Sequence, residues 1–155
     1  MRTHTDEDVT DALITASRAL VAVAARSLAS VDDDVTLPQY RALIVLATRG
    51  PQTVGQLAIG LDIHPSTATR LCDRLVTKGL VTRATDEDNR RETNIALKSS
   101  GRDIVDRVTS ARRDEIARIV GRIPARLRQP TITALNAFSD AAGEIPEQSW
   151  SIGWS

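Results

Sequence analysis

Apolar residues recur at helical spacing over the first part of the chain. Between residues 8 and 29 they predict one long helix with a single inward stripe, made of Val9, Leu13, Ala16, Leu20, Val23, Ala24 and Leu28. The acids at 32–34 predict a solvated loop after it. Leu37-Pro38 then opens a second helix, because proline is tolerated in a first turn, and Gly50-Pro51 ends that helix.

A short third helix and a fourth helix follow, joined by a tight turn. Thr53 is placed to cap the third helix, with Gln56 completing a capping box. Residues 62–65 form the turn, and either His64 or Ser66 caps the fourth helix. The fourth helix ends at Lys78-Gly79, a basic last turn followed by a glycine of the kind that closes helices.

After the fourth helix, apolar and polar residues alternate along the chain, which predicts a β-hairpin. Residues 80–84 and 92–97 read as its two strands, and residues 85–91 as its polar tip. Ser99 or Ser100 is expected to cap a fifth, long helix. Pro124 begins a sixth that ends near Gly143, and the tail at 147–155 looks irregular.

The predicted fold class is mainly α with a small β-hairpin wing: a winged helix-turn-helix flanked by long dimerisation helices. We expect four parts. They are an N-terminal dimerisation helix at 1–36, a DNA-binding domain at 37–98, C-terminal dimerisation helices at 99–146 and a tail at 147–155.

The fourth helix has two chemically distinct faces. Its apolar stripe is Ala68, Leu71, Cys72, Leu75 and Val76. The opposite face carries small hydroxyl residues and arginines, which suit a close approach to the major groove and contacts to bases or phosphates: Ser66, Thr67, Thr69, Arg70 and Arg74. Any surface helix shows a polar face. The turn, the short preceding helix and the hairpin are what favour DNA binding here.

The hairpin tip adds Arg90 and Arg91. An arginine on a protruding ribbon can enter a narrow minor groove, where negative potential is concentrated. The alternative is a solvated loop whose charges cancel, since acids at 86–88 lie beside the arginines. We expect one arginine to project toward DNA and another to be held inward by an acid such as Asp73.

Net charge is zero, which by itself argues against nucleic-acid binding, but the charge is unevenly placed. Residues 1–36 carry seven acids against three arginines, whereas residues 37–128 carry seventeen Lys or Arg against ten acids. A basic middle segment is what phosphate binding requires locally. The arginine excess over lysine suits bidentate contacts, but genomic base composition explains it as well and is the favoured interpretation.

Other function classes find little support. No apolar run approaches a membrane span, and the acidic N-terminus does not resemble a secretory signal. A single cysteine leaves no intramolecular disulfide, no metal cluster and no cofactor signal, so a cytoplasmic setting is expected. We find no nucleophile elbow, phosphate loop or metal-ligand spacing, and an enzyme is not predicted.

Residues 37–101 resemble the MarR family of bacterial transcription regulators. The matching pieces are Leu-Pro-Gln-Tyr-Arg-Ala-Leu at 37–43, Thr-Val-Gly-Gln-Leu-Ala at 53–58, Ser-Thr-Ala-Thr-Arg-Leu-Cys-Asp-Arg-Leu at 66–75, Lys-Gly-Leu-Val at 78–81, Arg83, and the wing ending at Arg90-Arg91. Their order and spacing carry the resemblance together, and the flanking long helices extend it over nearly the whole chain.

The resemblance implies a homodimer held by the first and last helices on a palindromic double-stranded operator. It also implies repression, often relieved by a small phenolic or lipophilic ligand or by oxidation. Ser66, Thr67, Thr69 and Arg70 would be major-groove contacts and Arg90 the wing-tip arginine, while Thr53 and Arg74 would touch phosphate. Arg91 would brace the wing, and Asp73 and Arg83 are the expected bracing residues.

Two departures from the family pattern are visible. Asn89 stands where the family usually has an aspartate in the wing, which alters the local salt-bridge pattern. Lys98-Ser99-Ser100-Gly101 replaces the usual threonine-led cap before the fifth helix. A winged helix that binds a protein instead of DNA is the alternative function, and salt dependence of duplex binding separates the two.

Several single residues admit two interpretations. Cys72 is a redox sensor or, since it lies in the inward stripe, a small buried hydrophobe. His64 belongs to the turn, where it could touch phosphate; His4 and His64 are too isolated to suggest a metal site. Tyr40 is a core residue or part of a ligand pocket. Trp150 and Trp154 either dock onto the dimer or a pocket or lie in a disordered tail; docking is favoured because exposed tryptophans are unfavourable in water.

Overall fold

The computed structural model describes residues 4–85 and 93–146. Its elements, in chain order, are α1 (Asp6–Val31), α2 (Leu37–Arg49), β1 (Gln52–Thr53), α3 (Val54–Leu61), α4 (Pro65–Thr77), β2 (Val81–Thr85), β3 (Thr93–Leu97), α5 (Ser99–Val120) and α6 (Ala125–Ala142). The predicted fold class is therefore confirmed: a mainly helical chain with a small antiparallel wing.

The sheet contains one strand that the sequence did not predict. Its order is β1-β3-β2, and all pairings are antiparallel. Gln52 pairs with Ile95 and Thr53 with Asn94, so the start of α3 is fixed to the base of the wing. A strand of two residues is too short to show alternation, and its partner lies far away in sequence.

The core lies between α2, α3, α4 and the sheet. Leu43, Leu57, Leu75 and Ile95 are fully buried at its centre. Leu28 of α1 and Val105 of α5 join the same cluster, so the two long helices are anchored to the winged lobe where they meet it.

Capping explains where three of the helices begin. Thr5, Thr36 and Thr53 each accept a bond from the backbone N–H three residues on, and the side chain at that position bonds back to the cap. The box at Thr53 and Gln56 is the one that the sequence predicted, with lengths of 3.1 and 2.9 Å.

The predicted cap of α5 is wrong. Lys98 occupies the cap position and makes no side-chain cap bond. Ser100 Oγ instead donates to the carbonyl of Gly79, 2.6 Å away, because α5 begins against the junction of α4 and β2. The hydroxyl is thus used to fix a tertiary contact.

The inward stripe predicted for the first helix is only partly buried. Val23 and Leu28 are buried, whereas Val9 and Leu20 are 52% and 50% exposed. The reason is position: α1 packs on α5 through its C-terminal half.

One observation bears on the expectation that no segment of the chain spans a membrane. By length and composition alone, α1 is apolar enough to cross a bilayer. The same properties suit a helix that packs on protein. Arg18 and Arg26 would both be unfavourable within hydrocarbon, and the hydroxyl of Ser27 is buried against the fold, so protein packing is the better account.

Candidate nucleic-acid interface

The polar side of α4 faces solvent as one continuous surface. Ala68, Cys72 and Leu75 are completely buried beneath it. The residues on the opposite side are all exposed, and we call them the α4 outer face: Ser66, Thr67, Thr69, Arg70, Asp73, Arg74 and Thr77. Because the buried residues recur every three or four positions, the polar ones are held on a single side.

The turn before α4 is fixed by local bonds. Asp62 adopts a left-handed conformation with φ of 53°, which aspartate tolerates better than most residues, and Ile63 N donates to the Ala58 carbonyl over 3.0 Å. Of the two caps that the sequence allowed, the structure selects His64. Its Nδ1 accepts from Ser66 N at 3.1 Å and lies 2.8 Å from Ser66 Oγ.

The predicted contact residues differ in how much of their bonding capacity is already used. The hydroxyl of Ser66 faces the His64 ring, and that of Thr69 donates to the Pro65 carbonyl at 3.1 Å. The side chains of Thr67, Arg70 and Arg74 make no hydrogen bond to residues 4–85 or 93–146. The two arginines can therefore turn toward a ligand at little cost.

Thr53 lies at the start of α3 and is partly buried. Its Oγ1 accepts the Gln56 backbone N–H in the capping box, so its hydroxyl serves the helix first. A phosphate contact from this residue would use the remaining bonding capacity of that hydroxyl.

Asp73 and Arg83 are brought together by the wing. The Arg83 guanidinium on β2 forms an ion pair with Oδ1 of Asp73 on α4. Arg90 and Arg91 lie outside the described residues, as do the acids at 86–88 and Asn89. The brace visible in the structure thus joins the wing's first strand to the α4 outer face.

Lys78 is a residue whose part sequence reasoning missed. It was recognised as the basic last turn of α4, but its Nζ reaches Gln39 Oε1 at 3.1 Å and also donates to the Asp34 carbonyl. Gln39 is buried and caps α2 through Thr36. Lys78 therefore ties the end of α4 to the loop between α1 and α2, a contact that no sequence spacing indicates.

Cys72 is a buried hydrophobe in its surroundings. Its side chain is inaccessible, and desolvation raises the pKa of its thiol above the ordinary value. Burial thus disfavours the thiolate, which is the reactive form. This environment suits packing and not redox sensing.

Among residues 4–85 and 93–146, potential metal ligands are not assembled at this surface. His64 caps α4, whereas His4 lies at the far end of α1. The carboxylates of Asp32, Asp33 and Asp34 lie within 4.8 Å of one another in an exposed loop. Asp32 Oδ1 accepts from Asp34 N at 2.9 Å, so the loop's shape is explained by a local turn.

A cavity of about 440 Å³ lies beside Tyr40, and we call it the α2 cavity. Its apolar walls come from α1, α2 and α3, and its polar lining includes three arginines. Arg112 of α5 lies over the Tyr40 ring, with Cζ 5.4 Å from the centroid. Other lining residues include Val21, Leu37, Arg41, Ile44, Val45, Arg49, Leu61, Glu144 and Ile145. Tyr40 is thus both a core residue and part of a cavity wall.

Comparison with known proteins agrees with this architecture. The MarR family profile matches residues 35–93. The HTH-type transcriptional regulator Mb0904 of Mycobacterium bovis is 34% identical over 83 residues, which cover 54% of this chain and 58% of that protein. The chain's matches span about half the length of its curated relatives.

Two solved structures match over nearly their whole length. RV1404 of Mycobacterium tuberculosis is 43% identical with a TM-score of 0.87, and the match covers 94% of this chain and 99% of that one. A MarR family protein of Bacillus stearothermophilus is 25% identical with a TM-score of 0.75, covering 91% and 100%. With the winged fold and the family profile in agreement, the chain belongs to the MarR family, a family of transcriptional regulators and not of enzymes.

Proposed function

We propose that this chain is a cytoplasmic, sequence-specific DNA-binding repressor that acts as a homodimer on a palindromic operator. The α4 outer face enters the major groove, with Ser66, Thr67, Thr69 and Arg70 toward the bases. Thr53, His64 and Arg74 contact phosphate, and Arg90 and Arg91 belong to the wing.

The observation that carries this proposal is the α4 outer face. It combines small hydroxyl side chains with two arginines that have no bond to the described part of the chain. Small residues let the helix backbone approach base edges, and arginine is the commonest bidentate reader of guanine. Within the same fold, a variant of MepR from Staphylococcus aureus, 21% identical, is bound to an oligodeoxyribonucleotide.

The homodimer is supported by unpartnered apolar surface on the terminal helices. All residues of α6 are described, and it buries none of them. Ile132 and Phe138 of α6 are each 51% exposed, and Ile14 of α1 is 50% exposed. Between these helices lies an apolar groove of about 740 Å³, the α1–α6 groove, which includes Val9, Leu13 and Phe138. A second copy would cover it, which is how amphipathic helices become stable in water.

The α2 cavity supports a second part of the proposal, relief by a small lipophilic or phenolic ligand. The cavity adjoins α2, whose Gln39 is bonded to Lys78 at the end of α4. A ligand that moves α2 would therefore also move the end of α4, and with it the α4 outer face. In another protein of this fold, BpsR of Bordetella bronchiseptica, DNA binding is regulated by 6-hydroxynicotinic acid.

Fluorescence anisotropy tests the proposal. The full chain is titrated against a labelled duplex from upstream of its own gene and against a scrambled duplex, each at two salt concentrations. We expect selective binding that weakens steeply with salt, because phosphate contacts release counterions. Arg70→Ala should lower affinity for the operator and relax base preference at the contacted position.

The matched control is Arg128→Ala, which removes an exposed arginine from α6 and should leave operator binding unchanged. Equal binding of both duplexes would contradict operator reading. Salt-insensitive or absent binding to any duplex would favour the alternative, a winged helix that binds a protein partner.

A further inference from the structure

The chain leaves α6 beside the α2 cavity. Gly143, with φ of +76°, ends the helix, and Glu144 N bonds back to the Ser139 carbonyl at 3.0 Å. This turn places Glu144 and Ile145 at the wall of the cavity. Ile145 is half-buried, although residues 140–144 just before it are exposed. The final segment, residues 147–155, therefore starts next to an open cavity.

The length of that segment is sufficient to enter the cavity. Trp150 follows Ile145 by five residues, and an extended chain advances about 3.3–3.6 Å per residue, so its backbone can reach roughly 17 Å. Ile145 itself lines the cavity, so this reach extends from the cavity wall into its interior. No rearrangement of α6 is needed to bring an indole into it.

The chemistry of the segment complements the cavity. Residues 147–155 hold both tryptophans of the chain, Ile152 and the acid Glu147, and contain no Lys or Arg. The cavity offers apolar walls and the arginines Arg41, Arg49 and Arg112, against one acid, Glu144. An indole face attracts a guanidinium, and a buried indole removes a large apolar area from water.

A second, independent observation concerns Arg112, whose Nε lacks a hydrogen-bond acceptor in the described part of the cavity. Its Nε is buried and has no hydrogen-bond acceptor among residues 4–85 and 93–146. A buried donor without an acceptor is unfavourable. A carboxylate or carbonyl from an incoming acidic segment would satisfy it.

We infer that residues 147–155 fold back onto the α2 cavity of their own chain and insert a tryptophan beside Tyr40 and Arg112. The segment is then a built-in occupant of the cavity. A small-molecule effector that binds in the α2 cavity has to displace the segment. The apparent affinity of the effector is therefore lower when a larger fraction of molecules has the segment docked. This last consequence depends on the proposed ligand, whereas docking itself does not.

The chain carries its own probes for a test. Trp150 and Trp154 are its only tryptophans and both lie in the segment, while its only tyrosine, Tyr40, lines the cavity. Tryptophan emission and quenching by acrylamide are measured on the full chain, without DNA or effector. A free peptide of residues 147–155 serves as the exposed reference.

Docking predicts blue-shifted emission, a quenching constant several-fold below that of the peptide, and energy transfer from Tyr40 to tryptophan. Arg112→Ala should shift the emission to the red and raise quenching, and Arg128→Ala should change neither. Val45→Arg, which places a further charge on the cavity wall, checks the result by a second route and should also raise quenching.

Two results would overturn the inference. One is quenching equal to that of the peptide, which would mean that both tryptophans are in water. The other is protection that Arg112→Ala and Val45→Arg leave unchanged in folded protein, which would place the segment elsewhere, for instance in the α1–α6 groove. Either result leaves the operator-binding proposal standing, because no DNA enters the measurement.

Discussion

Arg83 on β2 forms an ion pair with Asp73 on α4, and this pair joins the base of the wing to the α4 outer face. Both side chains are about half exposed, at 41% and 52%. A pair exposed to this extent contributes little to stability, about 0–1 kcal/mol. Its position matters more than its energy, because it links two elements that are proposed to contact the same duplex.

Asp73→Asn should therefore lower operator affinity while changing the stability of the fold only slightly. We expect the free energy of unfolding to fall by less than about 1 kcal/mol. Operator affinity should fall several-fold, since a wing free to pivot loses orientation. Urea unfolding and anisotropy on the same preparation measure the two effects.

Asp103→Asn is the control for this variant. It breaks a comparably exposed pair, Asp103 with Arg107 on α5, away from the wing. Both variants should lose similar stability, and only Asp73→Asn should lose affinity. Equal affinities for the two variants would show that the brace has no part in binding.

Gly101→Ala tests the close packing of α5 against the winged lobe. An added Cβ would lie 2.4 Å from the Leu80 carbonyl oxygen and 2.8 Å from Leu97 Cδ1. Neither the backbone carbonyl nor a packed leucine can move freely. Overpacking of this kind destabilises by about 1–3 kcal/mol, and a lower urea midpoint at fixed protein concentration would show it.

Gly55→Ala provides the comparison, since the nearest atom to its added Cβ is Thr53 Oγ1 at 3.9 Å. Alanine is favoured over glycine in a helix by roughly 0.5–1 kcal/mol, so this variant should be neutral or slightly more stable. If Gly101→Ala were as well tolerated, the contact with Leu80 would have to be looser than it is in the structure.

Local rules account for much of the fold. The capping box at Thr53 and Gln56 needs only residues three apart, and the apolar stripe of α4 needs only the helical period. These features are readable in sequence because both partners lie within one or two turns. For the same reason, the helical period is enough to name the residues of the α4 outer face.

Features built from distant partners could not be predicted. Ser100 looks like a helix cap, but its hydroxyl bonds the Gly79 carbonyl, twenty-one residues earlier. Lys78 bonds Gln39, thirty-nine residues earlier. The α2 cavity gathers Arg41, Arg49 and Arg112 from two helices, so neither its charge nor its position beside Ile145 shows in any local pattern.

The Cys72 thiol predicts a dependence of stability on alkaline pH. Burial raises the pKa of this thiol in the folded chain. The unfolded chain therefore releases the thiol proton first as pH rises. The contribution to stability is complete below the unfolded pKa of about 8.5 and is lost progressively between that value and the folded pKa.

Urea midpoints measured from neutral pH to about pH 10, above the usual thiol pKa, should fall more steeply for the wild-type chain than for Cys72→Ala. The comparison is between slopes, because Cys72→Ala also removes a packed atom at every pH. Parallel slopes would mean that the thiol does not contribute. Rapid modification of Cys72 by a thiol reagent in the native protein would contradict its burial.

Phe138→Glu tests whether the α1–α6 groove is the dimer contact. The side chain is 51% exposed in a single chain, so glutamate is tolerated there by the isolated fold. In a contact between two copies, the new carboxylate would lie unpaired in apolar surroundings. Dimerisation should weaken by at least about tenfold, since an unpaired buried charge costs more than the ~1.4 kcal/mol of a tenfold change. Sedimentation velocity over a range of concentrations measures it.

Ile59→Glu is the matched control, because it makes the same replacement of an apolar side chain by an acid at a position of α3 that is 83% exposed. It should sediment as the wild-type dimer, and circular dichroism should show both variants folded. A Phe138→Glu chain that remained dimeric would place the contact away from this groove. The exposed apolar surface of α6, which includes Leu127, Ile132 and Leu135, would then need a different covering.

A folded Phe138→Glu monomer that bound operator as tightly as the wild type would show that DNA binding does not depend on dimerisation. We expect the opposite, because two winged lobes reach both halves of a palindrome only when they are joined.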